Sequence, residues 1–392
     1  MRRFSANYIY TNTGDPIRNG VVEVDDNGVI VDIINPLGNE KEYSSTEFHN
    51  GVIVPGFVNA HCHTELSHLK GKISRENGLA GFVNQIRNHR LEGLSTEEAP
   101  IIDAIDEMHR QGIVAIADIC NTSDSFLAKR NGKIRFVNLV EVLGLDPENA
   151  SNLIERAKAL KGIIDQELLQ ESFITPHSVY TLSNELWQLL SADLTHSGIV
   201  SIHFAESKQE FDIIEESGGA IAENFIAWGL PTNSLPAGNH IDIVKKFISQ
   251  SAQILFIHNT FLKECDAIEL SMHFRNAHFV ACPSSNLFIE NTLPNIKMLA
   301  DLGLSIAVGT DSLASTHTLS MLDQINVILN HFPSISFNES LAWATINGAK
   351  ALRLEKEYGT IELGKKPGLN LISPFDFQNM RPKPMSKVRR LV

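Results

Sequence analysis

Cysteine is scarce and scattered. The four in 392 residues, Cys62, Cys120, Cys265 and Cys282, form no Cys-x-x-Cys pair, which excludes a disulfide framework and a cysteine zinc site and fits a reducing cytoplasm. Long apolar runs are missing too: none reaches membrane-spanning length, and Phe4-Ser5-Ala6-Asn7-Tyr8-Ile9-Tyr10 behind two arginines is too short and polar for a signal-peptide core. A cytoplasmic protein with no membrane partner is expected. Basic charge is sparse, with 33 Lys and Arg against 46 Asp and Glu and a net charge of -13, so nucleic acid is not an expected partner. The one locally basic stretch, Arg381 to Arg390, reads as a solvated terminus. No repeat of fixed period and no low-complexity segment interrupts the chain.

What is present is ordinary globular material, 43% hydrophobic and 20% charged. The first fifty residues alternate as strands do, Val21-Val22-Glu23-Val24 and Val29 to Ile34 flanking an Asp26-Asn27-Gly28 hairpin signal. Tyr358 to Gly364 and Gly368 to Ile372 read as two more short strands. Both termini, 1–54 and 355–392, are therefore expected to build one small β-sandwich domain around an inserted domain, 55–354. Within the insert, short apolar strands alternate with amphipathic segments such as Leu153 to Leu168 and Ala267 to Phe274. Eight strands are predicted: Val52 to Asn59, Ile113 to Ile119, Ile134 to Val142, Ser172 to Thr175, Ile199 to Phe204, Ile254 to Ile257, Ala277 to Ala281 and Leu304 to Val308. The fold class is α/β, a TIM-like (β/α)8 barrel. An open doubly wound sheet would bring a glycine-rich phosphate turn after its first strand, where His61-Cys62-His63 stands instead. Leu66 to Ala99 forms a lid or a subunit contact.

The polar residues that follow the strands carry the chemistry. Two histidines one residue apart can present both imidazoles to one point, because alternate strand residues share a face. His61 and His63 end the first strand, His203 the fifth with Glu206 three residues on, His258 the sixth, and Asp311 follows the eighth. In a parallel barrel all these ends open on one mouth, so residues roughly 250 positions apart (61 to 311) converge.

Pro55-Gly56-Phe57-Val58-Asn59-Ala60-His61-Cys62-His63, Ile202-His203-Phe204-Ala205-Glu206, Phe256-Ile257-His258-Asn259, Cys282-Pro283-Ser284-Ser285-Asn286 and Val308-Gly309-Thr310-Asp311-Ser312 resemble the successive motifs of the amidohydrolase superfamily. The nearest branch is the mononuclear deaminases of adenosine, S-adenosylhomocysteine, guanine and cytosine, with the related chlorohydrolases. The resemblance extends to Gly359 to Lys365, after which Pro367-Gly368-Leu369-Asn370 replaces the usual Ala-Asp-Leu-Val. Two-metal members use a carboxylated lysine at the end of strand four; here Thr175-Pro176-His177-Ser178 stands there, which implies a single metal. His61 to Ser67 is also similar to the deaminases of 6-aminodeoxyfutalosine, which favours an adenine nucleoside as substrate. The zinc nucleobase deaminases of the other fold are excluded, since Cys282 precedes its proline and has no partner two residues on.

The resemblance implies one divalent metal held by His61, His63, His203 and Asp311, zinc first and iron(II) second, with an open position at which the pKa of water falls toward neutrality. Glu206 would shuttle protons to the ring nitrogen, Asp311 would take a proton from water, and His258 would stabilise the adduct electrostatically. Glu65, which alternation past His63 would put on the metal face, and His177, at the mouth of strand four, are the candidates for ribose hydroxyls. Ser284, Asn286, Ser312 and His317 belong to the same mouth without an assigned role. The reaction expected is hydrolytic deamination of a purine-like ring. Alternatives are loss of chloride, amide hydrolysis, deamination of guanine, cytosine or a triazine, and a metal-free scaffold of the same fold. Homodimerisation through the segment after strand one is implied by the family alone.

Overall fold

The computed structural model describes residues 1–36, 45–75, 78–91, 98–130, 132–194 and 198–392. In chain order the strands are β1 Arg2–Ile9, β2 Ile17–Arg18, β3 Val21–Val24, β4 Ile30–Ile34, β5 Thr46–Pro55, β6 Phe57–Cys62, β7 Ile113–Cys120, β8 Arg135–Val142, β9 Glu171–Pro176, β10 Ile199–Phe204, β11 Gln253–His258, β12 Asn276–Ala281, β13 Ile306–Val308, β14 Leu369–Asp376 and β15 Arg381–Arg390.

Every residue of β6, β7, β10 and β11 is buried, as expected of strands covered on both faces. Alternate residues, Val58 and Ala60, Ala115 and Ala117, Val137 and Leu139, Leu255 and Ile257, gather in one apolar cluster with Ala349 and Leu352. The intervening ones, such as Ile116, Phe136, Ile202 and Phe256, pack in the larger cluster shared with the helices. Each fully buried side chain of this size contributes roughly 1.5–3 kcal/mol, so the two clusters fix both faces of every strand.

The eight strands form two parallel halves, β6-β7-β8-β9 and β10-β11-β12-β13. Bridges join the halves at both seams, Ser178 to His203 and Cys62 to Asp311, so the ring closes. At the first seam His203 N donates to His177 O (2.8 Å), and the Thr175 hydroxyl bonds to the Ser201 carbonyl. At the second, Asn59 Nδ2 donates to Thr310 Oγ1 (2.7 Å) while Thr310 N donates to Asn59 Oδ1 (3.1 Å) and to His61 O (3.0 Å). Gly309 permits that closeness: a Cβ there would lie 2.8 Å from His61 Cβ.

The small sandwich of the sequence reading is hydrogen-bonded into one seven-stranded sheet, in the order β15-β14-β5-β1-β3-β4 with β2 on β1, around Phe4, Ile9, Val22, Ile30, Ile53 and Leu369. Three expectations are corrected here. Val52 to Asn59 is not one strand: Val52 to Pro55 pair with β14 in the terminal sheet, and the chain passes at Gly56 into β6. Gly56 is pinched there, its missing Cβ leaving room for Val114 and the Pro367 carbonyl. Tyr358 to Gly364 is a looped segment, tied by Ile361 N to Thr11 O and Gly364 N to Ile30 O. Arg381 to Arg390 is not a loose terminus but the edge strand β15, antiparallel to β14. Lys383, Lys387 and Arg389 face solvent, which suits an edge that must not recruit another chain, while Arg381 and Arg390 are half-buried. No helix among the described residues is long and apolar enough to cross a membrane.

Candidate metal centre and active site

The site is built from strand ends that leave regular geometry. The pairing of β6 with β7 shifts register between Asn59 and Cys62, so the inward face passes from Val58 and Ala60 to His61 and His63. Ala205, His258, Asn259 and Asp311 all have positive φ (49°, 75°, 57° and 59°) just where β10, β11 and β13 end. Backbone held in this sparsely populated region concentrates at functional sites, since the surroundings must over-determine it.

Four of the expected side chains meet. His63 Nε2 lies 3.2 Å from His61 Nε2 and 3.3 Å from His203 Nε2, and Asp311 Oδ1 lies 3.8 Å and 3.7 Å from the His61 and His63 nitrogens. His203 Nδ1 donates to the His177 carbonyl (3.0 Å), which leaves its Nε2 a bare lone pair aimed at the cluster. Burial, then the neighbouring imidazoles, holds the His61 pKa well below the usual histidine value; burial and His177 bring His203 down to about 4. Ser285 and Ser315 each donate to Asp311 Oδ2 at 2.6 Å, turning Oδ1 to the histidines. Burial raises the Asp311 pKa to about 6 against those two bonds. His61, His63 and Asp311 offer ligand atoms within 4.8 Å of one another, as do His61, His203 and His258, and such a donor set suits a divalent cation.

Glu206 and His258 stand beside this cluster, Oε1 to Nε2 3.4 Å, both buried. Asn286 Nδ2 lies 3.3 Å from His258 Nδ1 and donates to Thr260 Oγ1 (2.7 Å). An amide donor at Nδ1 makes that nitrogen an acceptor and puts the imidazole proton on Nε2, facing Glu206. Burial, then the Glu210 and Asp311 carboxylates, raises the Glu206 pKa well above the usual glutamate value, while burial depresses His258.

The remaining expectations divide. His177 lines the cavity, its ring 4.6 Å from that of His203. Glu65 does not line it: the chain turns from β6 into the 3-10 helix Thr64–Leu69, and Glu65 Oε2 accepts from Asn121 N, Thr122 N and Thr122 Oγ1 at 3.0–3.2 Å. Alternation stops where the strand stops, so the ribose role read from it has no geometric basis. Thr64, next along, is gripped by Asp118, whose Oδ1 accepts from Thr64 N (2.8 Å) and Oδ2 from Thr64 Oγ1 (2.6 Å). Lys129, fully buried, completes the anchor with Nζ 2.6 Å from Asp118 Oδ2 and 2.8 Å from Asn138 Oδ1. Ser312 lines the cavity; Ser284 is held by its backbone to Gln324 Oε1, and His317 pairs with Arg75 Nη2 (3.1 Å).

Sequence reasoning missed Glu141 and Asn121, while the helix Gly78–Leu91 lies within the segment expected to form a lid or a subunit contact. Glu141 ends β8 with its carboxylate on the cavity, Oε1 3.5 Å from His203 Nδ1 and Oε2 accepting from Asn121 Nδ2 (3.1 Å). A charged residue one place from the end of a barrel strand was the available signal. The cavity, about 340 Å³, is thus zoned. Its lining joins His63, His203, Asp311, Glu206 and His258 to a polar band, Asn121, Glu141, His177 and Thr181, and to an apolar wall, Leu79, Phe82, Val83, Ile86, Phe225 and Trp228. Arg87 lies at that wall, 4.8 Å over the Trp228 ring. The segment after β6 therefore covers the cavity in its described part; residues 76–77 and 92–97 lie outside the described residues.

A closed parallel barrel with a buried His/Asp cluster at the C-terminal ends of its strands is the architecture of a metal-dependent hydrolase. The chain belongs to the amidohydrolase family, whose sequence model matches residues 52–388. Adenosine deaminase of Helicobacter pylori is 27% identical over 335 residues, 83% of this chain and 79% of that protein. Aminodeoxyfutalosine deaminase of Nitratiruptor is 24% identical, covering 82% and 79%. Among solved structures, Helicobacter pylori aminofutalosine deaminase in complex with methylthio-coformycin superimposes with a TM-score of 0.80 at 24% identity, over 96% of this chain and 93% of that one.

Proposed function

We propose that this chain is a mononuclear aminohydrolase that replaces the exocyclic amino group of an adenine nucleoside by a carbonyl, consuming water and releasing ammonia. The observation that carries the proposal is the Glu206–His258 pair, which lines one cavity with His63, His203 and Asp311. His61, His63, His203 and Asp311 would hold the ion, zinc by the nitrogen-rich donor set. A bound divalent ion supplies Lewis acidity that brings the pKa of water toward neutrality.

The residues do the rest. Glu206, kept protonated by burial and by its acidic neighbours, donates to the ring nitrogen as the ring carbon is attacked, which removes the aromatic penalty at that carbon. The carboxylate left behind takes the proton of the added hydroxyl as the carbonyl forms and hands it to the departing amine, and the proton that Asp311 takes from water returns to Glu206, so the two protons of water end on the ring nitrogen and on ammonia. His258 Nε2–H faces the reacting carbon's oxygen and stabilises charge there, and Asn286 keeps it in the donating tautomer. Asp311 Oδ1, with a pKa near 6, accepts a proton from the attacking water. The polar band suits a ribose, with His177 and Glu141 facing its hydroxyls, and the apolar wall suits a substituent on the 5′ carbon. The relatives named above as acting on adenosine and aminodeoxyfutalosine support this class. A cytoplasmic setting, with Cys62, Cys120 and Cys282 free and buried, and a homodimer complete the proposal.

Ammonia release from adenosine, 5′-methylthioadenosine, S-adenosylhomocysteine and 6-aminodeoxyfutalosine tests the substrate class. In Glu206→Gln, turnover should fall by about 10²–10⁴-fold with one zinc per chain retained. Full turnover in that variant, or no ammonia from any of the four nucleosides with the zinc-loaded protein, would remove the proposal.

A further inference from the structure

Glu210 is buried completely behind the site, and the helix it belongs to explains only half of what it does. Helix Lys208–Glu215 starts at Ser207, whose Oγ accepts from Gln209 N (3.2 Å) while Glu210 Oε1 accepts from Ser207 N (3.1 Å), a reciprocal cap. The same Oε1 also accepts from Glu206 N at 2.7 Å, a shorter bond that lies outside the cap. Between His203 and Glu206 sits Ala205 at φ +49°, a turn that an alanine adopts only when its surroundings insist. The other Glu210 oxygen faces His240 Nε2 at 3.9 Å, beyond hydrogen-bond distance, and His240 is itself buried against Phe204 and Phe211. Two successive peptide N–H groups thus end on one fully buried oxygen.

We infer that Glu210 is a positioning residue: by gripping the Glu206 peptide it holds the left-handed turn at Ala205 and aims the Glu206 side chain at His258 and the substrate ring. The inference rests on the reading of Glu206 as the proton carrier. A carboxylate whose backbone is released swings on a turn that relaxes to ordinary geometry, and misplacement of a reacting group by about 1 Å costs on the order of 10²-fold in rate.

The test measures kcat, KM and zinc content on the zinc-loaded protein, with whichever nucleoside of the panel turns over fastest. Glu206→Gln comes first: if it remains active the reading of Glu206 fails, independently of Glu210. With Glu206→Gln inactive, Glu210→Ala should lose about 10²-fold in kcat with KM and zinc unchanged. Glu210→Gln should restore most of the rate, because its amide oxygen can accept the same two N–H groups. Ser207→Ala, which removes the cap's hydroxyl and leaves Glu210 with both of its N–H donors, should lower the melting temperature and keep kcat. If the alanine variant is not recovered folded, Glu210→Met, near in volume and without an acceptor, replaces it with the same expectation. Wild-type kcat in the acceptor-free variant, a loss carried by KM, or a glutamine variant as slow as alanine would each overturn the inference.

Discussion

Lys129→Met probes the anchor beneath the His61/His63 strand end. Lys129 and Asp118 are both fully buried, with Nζ and Oδ2 2.6 Å apart, and Asp118 spends both oxygens on Thr64, the residue after His63. Methionine keeps most of the side-chain volume, so the cost is electrostatic: a buried carboxylate left without its cation loses about 3–5 kcal/mol. Pairing the change with Asp118→Asn removes the stranded charge. The amide oxygen still accepts from Thr64, so the double variant should return to within about 1–2 kcal/mol of the parent. Urea unfolding at unchanged slope reads the stability, and zinc affinity measured alongside reads the effect on His63, which should weaken in the single variant. A single variant within about 1 kcal/mol of the parent, or a double variant as damaged as the single, would refute the account of this pair as the loop's anchor.

Gly309→Ala should crowd His61, since the new Cβ would sit 2.8 Å from His61 Cβ and 3.0 Å from its peptide atoms. Overpacking of this kind costs about 1–3 kcal/mol, and the imidazole it displaces should bind zinc more weakly; unchanged zinc affinity and stability would contradict the close seam. The pH dependence of stability should carry a Glu210 signature. Burial raises its pKa to about 8, so between the ordinary glutamate value and about 8 the folded chain keeps a proton that the unfolded chain has released. Stability therefore falls as pH rises through that window, by up to about 1.4 kcal/mol per unit, and Glu210→Gln should flatten the slope. Urea midpoints at about pH 5.5 and about pH 7.5 check this, and equal slopes in the two proteins would count against it.

The barrel was legible because β6, β7, β10 and β11 are buried on both faces and the other barrel strands largely so, so apolar runs such as Ile199 to Phe204 mark them directly. The residues that break those runs, His61, His203, His258 and Asp311, were legible for the same reason: a polar group at the end of such a run has only the barrel mouth to occupy. Legibility failed where period and position parted. Glu65 was placed by alternation past Cys62, but the backbone had already turned into a 3-10 helix. Glu141 sits within a strand rather than after one, so the rule that found the histidines passed over it. β15 has hardly any apolar face, because an edge strand is specified by its partner β14 and not by its own pattern. The anchor at Lys129 and the grip of Glu210 depend on distances between elements that no local spacing encodes.

The two joints of the ring have a consequence for how the protein ages and fails. His61 and His63 belong to one half-barrel, His203 and Asp311 to the other, and these residues adjoin the bridges that stitch the halves together. An ion seated among them works as a rivet through both plates. Losing it would slacken the shell at its joints as well as stop the chemistry, so ageing samples should lose shape and turnover together.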